Sequence, residues 1–189
     1  MAIYLDEDFV GSHPSEIILP HLLLCMGVVC QMPNGRLVGC HISTQSTESA
    51  VLAELKAQIQ SGPGKPSRLY MIADFSEHFM YTKLAFTDKA RAIGYAGNFF
   101  VFDTQPVVRR DGAYARVVSS SGAAPCDVYV LADQDARPYS MGSSAKPADG
   151  HVVEIRPDGP RPPRFLKVGD SARPGKPLAQ ADFKIVKCN

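Results

Sequence analysis

Residues 22–44, LLLCMGVVCQMPNGRLVGCHIST, decide how this chain folds: three of its five cysteines and one of its five histidines surround a single Pro-Asn-Gly. Two apolar segments, Leu22 to Met32 and Arg36 to Ser43, read as the arms of a β-hairpin. A two-residue Asn34-Gly35 loop would set His41 opposite Val28. A three-residue Pro33-Asn34-Gly35 loop is also well specified, because proline suits the first central position of a type I turn and glycine the left-handed position after it. That loop pairs Met32 with Arg36, so opposed residue numbers sum to 68.

The second register sorts the side chains by chemistry, since strand residues alternate between faces. One face carries Met26, Val28, Cys30, Val38, Cys40 and Ile42. The other carries Cys25, Gly27, Gln31, Gly39, His41 and Ser43, with Val29 and Leu37 the exceptions. A slip of one residue mixes these sets, so burial of one face favours this register. Cys30 and Cys40 then become small core residues. Cys25 becomes the diagonal neighbour of His41, about 7–8 Å away by backbone and nearer by side chain. An imidazole beside a thiol can take its proton and later return it to a leaving group. Gly27 and Gly39 would let a substrate backbone approach.

The surroundings predict an α+β domain with a mixed or antiparallel, sandwich-like sheet and two main helices packed on it. Strand-like pieces at Met1 to Val10 and Glu16 to Leu19 flank a Gly-Ser-His-Pro turn. Thr44 to Ser49 is a polar run suited to capping a helix in which Val51, Leu52, Leu55 and Ile59 fall at amphipathic spacing. Leu69 to Phe75 reads as a buried strand, Glu77 to Ile93 as a second helix, and Phe99–Asp103, Tyr114–Ser119 and Asp127–Leu131 as strands. Residues 1–136 form the expected domain. Residues 137–189 form a Pro-rich extension packed on it, holding eight of the fifteen prolines and short strand-like clusters at 152–155, 165–168 and 183–186.

Composition narrows the function. Hydrophobic content is 45%, charged content 21% and net charge +1, with no basic block, so neither nucleic acid nor an anionic membrane is the expected partner. The longest apolar run, 17–29, is broken by Pro20 and His21 and is too short to span a bilayer. The acidic start, MAIYLDEDF, is unlike a secretory signal, which places the expected site of action in the cytoplasm of the producing cell, or of a target cell for a delivered effector. Five cysteines with no CxxC pair argue for free thiols over a disulfide scaffold or structural zinc. His13, His21 and His151 lack metal-ligand spacing, so neither metal nor cofactor is expected. Asp74 to His78, following a predicted strand, reads as a helix cap. The Ser119–Gly122 and Gly142–Ser144 clusters lack a nucleophile-elbow pattern and read as loops.

A Cys at the start of one hairpin strand, a His 16 residues on along the return strand, then helix, strand, helix, strand resembles the chemoreceptor glutamine deamidases, the CheD family. That family shares its fold and Cys–His pair with the catalytic domains of cytotoxic necrotizing factors and related bacterial toxins. The resemblance spans residues 1–132 and implies hydrolysis of a glutamine side-chain amide on a protein substrate through a thioester, with ammonia released. Cys25 would be the nucleophile and His41 the base and acid, with Ser43 or backbone amides polarising the carbonyl. The Thr that the family often carries six residues before the Cys falls on Leu19. A non-catalytic protein-binding module on the same scaffold, or a thiol hydrolase of peptide or ester bonds, is the alternative.

Overall fold

In the computed structural model, which describes residues 3–43, 47–74, 83–104, 113–119, 124–132, 151–156, 159–161, 176–177 and 183–186, the 22–44 stretch is a hairpin. Its arms are β4, Met26–Gln31, and β5, Leu37–Ile42. Gly35 has φ 83°, its N–H donates to Met32 O at 2.9 Å, and Met32 N–H donates to Arg36 O at 2.8 Å. The Asn34 side chain accepts from Arg36 N–H at 3.1 Å. This is the three-residue loop, and Gly27 faces His41, Val28 faces Cys40 and Cys30 faces Val38. The register is the one in which residue numbers sum to 68.

The fold is α+β. An eight-stranded mixed sheet runs in the order β11-β10-β2-β5-β4-β6-β7-β13, with β2 at Phe9–His13, β6 at Arg68–Ala73, β7 at Phe99–Asp103, β10 at His151–Arg156, β11 at Gly159–Arg161 and β13 at Phe183–Val186. A five-stranded sheet runs β1-β3-β8-β9-β12, with β1 at Ile3–Tyr4, β3 at Glu16–Leu22, β8 at Ala113–Val118, β9 at Asp127–Ala132 and β12 at Lys176–Pro177. The pairs β1–β3 and β6–β7 are parallel, and the others are antiparallel. The strands at 151–156 and 183–186 extend the large sheet by pairing with β2 and β7. The cluster at 165–168 lies outside the described residues.

Alternation along the hairpin splits the core in two. Met26, Val28, Cys30, Val38, Cys40 and Ile42 join Val51, Leu52, Leu55 and Ile59 of α1, Glu48–Gln60, and Phe86 and Ala90 of α2, Lys83–Ala92. Cys25, Val29 and Leu37 join a second cluster with Ile17, Leu19 and Leu22 of β3 and Ala115, Val117, Val128 and Val130 of β8 and β9. Helices therefore cover one face of the large sheet and the small sheet covers the other. The predicted start of the second helix, at 77, lies outside the described residues, as does His78. Thr47 precedes α1 but gives it no side-chain cap; the first turn is held by Ala50 and Val51 N–H on Thr47 O. Among the described residues, no helix is long and apolar enough to cross a membrane.

Gly27 and Gly39 have a structural use. A Cβ on Gly27 would lie 2.3 Å from Leu19 Cδ1, and one on Gly39 would lie 3.1 Å from Ile17 Cδ1. The close approach these glycines permit is that of β3 of the small sheet, not of a substrate backbone. Residues of the second sheet fill the space over both.

Candidate active site around Cys25 and His41

His41 is fully buried near the end of β5, on the face that packs against the small sheet. Its Nδ1 lies 3.1 Å from the Leu5 carbonyl oxygen. A carbonyl can only accept, so Nδ1 carries the proton and Nε2 carries the lone pair. Nε2 is buried and has no hydrogen-bond partner among the described residues. Burial lowers the pKa of the ring, opposed by the Leu5 bond and by the charges of Asp6, Glu7 and Asp8. His41 is thus a neutral imidazole whose basic nitrogen is unengaged.

This has a consequence for stability. Below the ordinary histidine value of 6.5 the unfolded chain takes up a proton that folded His41 refuses. His41's contribution is complete above that pH and is lost as pH falls through it, with a limiting slope of about 1.4 kcal/mol per pH unit. Urea unfolding at pH 7.5, 6.5 and 5.5 is expected to show this loss, and His41→Asn is expected to flatten it. An equal slope in the variant would assign the dependence to other groups.

Cys25 sits one residue before β4, only 4% exposed, beneath the same small-sheet side chains. Its Sγ–H donates to Glu7 Oε1 at 3.4 Å. Burial first, then the charge and hydrogen bond of Glu7 and the charges of Asp8 and Asp6, push its pKa up to about 12. The thiol is therefore held protonated. The hairpin register sets Cys25 and His41 on one face, but the thiol's hydrogen bond goes to Glu7 and not to the imidazole.

The loop that joins them is Leu5-Asp6-Glu7-Asp8. It is tied to β3 through Leu5 N–H on Ile18 O, and to β5 through Asp8 N–H on His41 O, both at 2.8 Å. Asp8 has φ 65°, a backbone region that few residues other than glycine adopt. Ser43 belongs to this anchor: its hydroxyl donates to the Asp8 carboxylate at 2.9 and 3.0 Å, and its N–H donates at 3.3 Å. The hydroxyl expected to polarise a substrate carbonyl instead holds the loop. Leu19 is fully buried and packs against Gly27.

The acidic loop is the part of the site that the hairpin did not announce. Its sequence signal is three consecutive carboxylates, Asp6-Glu7-Asp8, beside a strand. Cys30 and Cys40 are fully buried in the helix-side core, which pushes both thiols upward. Buried His13 accepts at Nδ1 from Ser15 and Glu16 N–H and so organises the turn into β3. His21 is exposed and lies within the irregularity of β3 between Leu19 and Leu22. Among the described residues no group of three or more His, Cys, Asp or Glu is placed to hold a metal.

No protein-family model matches the chain, nor does any curated protein or solved structure.

Proposed function

We propose that the chain is a thiol hydrolase that deamidates a glutamine side chain of a protein substrate. Cys25 is the nucleophile, and His41 is its base and then its acid. The observation that carries the reading is His41 Nε2, a buried basic nitrogen with no partner, on the hairpin face it shares with Cys25. A general base needs a free lone pair on a neutral ring whose other nitrogen is held, and the Leu5 carbonyl holds it. In the reaction the Cys25 proton passes to His41 Nε2 and Sγ bonds to the amide carbon. The C–N bond then breaks as His41 protonates the departing nitrogen, releasing ammonia. Water, deprotonated by His41, opens the thioester to give glutamate and the free thiol.

A second reading, a non-catalytic protein-binding module, has its own observation: the Cys25 proton is held by Glu7. Ammonia release from a glutamine-rich protein such as dimethylated casein separates the two. Hydrolysis is expected to fall to background in Cys25→Ser and by about 10²–10⁴-fold in His41→Asn, and to persist in Cys30→Ala. Release that survives Cys25→Ser overturns the assignment. No release from the folded wild-type chain favours the binding module.

A further inference from the structure

Asp6, Glu7 and Asp8 are three consecutive carboxylates with no cationic partner among the described residues. The oxygens of Asp8 accept from Ser43, Asp6 Oδ1 accepts from Glu7 N–H, and the Glu7 carboxylate accepts from the Cys25 thiol. Immediately before Cys25 in the chain, Leu23 and Leu24 are 39% and 43% exposed, and they are the large hydrophobics exposed among the described residues. Leu24 runs directly into Cys25, whose thiol bonds Glu7, so the apolar pair and the acidic loop are joined through one residue. His21, which leads into them, has φ 55°. It and Asp8, the residue after Glu7, are the non-glycine residues at positive φ among those described. Such strain persists where the surroundings enforce it, and it gathers at sites that bind.

We propose that Leu23-Leu24 and Asp6-Glu7-Asp8 form one docking surface for a protein segment carrying lysine or arginine next to an apolar residue. The segment's cation pairs with the acidic loop and draws Glu7 from the Cys25 thiol. Charge complementarity selects the partner. The loop is anionic with no cationic partner among the described residues, while the leucines before Cys25 supply the apolar half of the contact. Loss of the Glu7 hydrogen bond and compensation of the loop's charge both favour the thiolate, so docking also readies the nucleophile. The inference rests on the reading of Cys25 and His41 as the reacting pair, and it adds the class of segment that pair is offered.

The test is site-resolved iodoacetamide labelling of Cys25 at pH 8, read by mass spectrometry, together with peptide binding by fluorescence anisotropy. The probes are two peptides of equal length with the same leucines and glutamine, one lysine-rich and one glutamate-rich. The lysine peptide is expected to bind, to lose affinity as salt is raised from 0.05 to 0.5 M, and to raise Cys25 labelling about tenfold. Glu7→Gln alone is expected to raise labelling about tenfold, the equivalent of one pKa unit. Leu23→Ser/Leu24→Ser is expected to weaken the lysine peptide at least about fivefold. All three substituted side chains lie at the surface, so folding is not at stake. Equal binding of both peptides, or labelling unmoved by peptide and by Glu7→Gln, overturns the docking surface. Selective binding with faster labelling but without ammonia release upholds it and removes the deamidase reading instead.

Discussion

Glu16→Ala is expected to destabilise the protein by about 3–5 kcal/mol, because it strips the partner from a nearly buried arginine. Glu16 opens β3, and its Oε1 accepts from Arg116 Nε on the neighbouring strand β8, with side chains only 9% and 16% exposed. The Arg116 guanidinium also lies 5.5 Å from the centre of the Tyr129 ring, so its position is fixed by more than the carboxylate. With Glu16 gone, that charge keeps its desolvation penalty and loses its compensation. A chain of this length should lose about 6–20 °C in Tm. Glu16→Leu/Arg116→Leu should recover most of the loss, since an apolar pair needs no compensation. Thermal and urea unfolding measure both. A double variant as unstable as Glu16→Ala would show that packing of the arginine stem, not the buried charge, is what matters.

Leu19→Ala is expected to cost about 2–5 kcal/mol through the cavity it opens between the sheets. Leu19 is fully buried and reaches over Gly27, where a Cβ would lie 2.3 Å from its Cδ1. Gly27→Ala on its own should cost about 1–3 kcal/mol by overpacking. The two faults are complementary: the added methyl of one occupies space vacated by the other. The double variant should therefore be more stable than the sum of the single effects allows, by about 0.5–3 kcal/mol in a double-mutant cycle. Strict additivity would mean that the two residues do not share the gap.

The hairpin was legible because its information is local. Pro33-Asn34-Gly35 specifies a turn geometry, the turn sets the register, and alternation then assigns each cysteine to a face. The α1 core face was legible for the same reason, with Val51, Leu52, Leu55 and Ile59 all buried as their spacing predicts. The roles expected of Gly27, Gly39 and Ser43 were not legible, because each depends on something distant in sequence. Leu19 and Ile17 come over the glycines from another sheet, and Asp8 reaches Ser43 across 35 positions.

By itself, then, the sequence determined the hairpin, its register, and the sharing of a face by Cys25 and His41. Turn chemistry and the two-residue period of a strand need no other part of the chain. The tertiary structure alone decided what surrounds that pair. Parallel pairing of β1 with β3 and the Asp8 N–H on the His41 carbonyl carry Glu7 to a thiol 18 residues away, while Leu5 leaves His41 one unengaged nitrogen. Those contacts arise from sheet pairing between separated strands, which no local pattern of residues encodes.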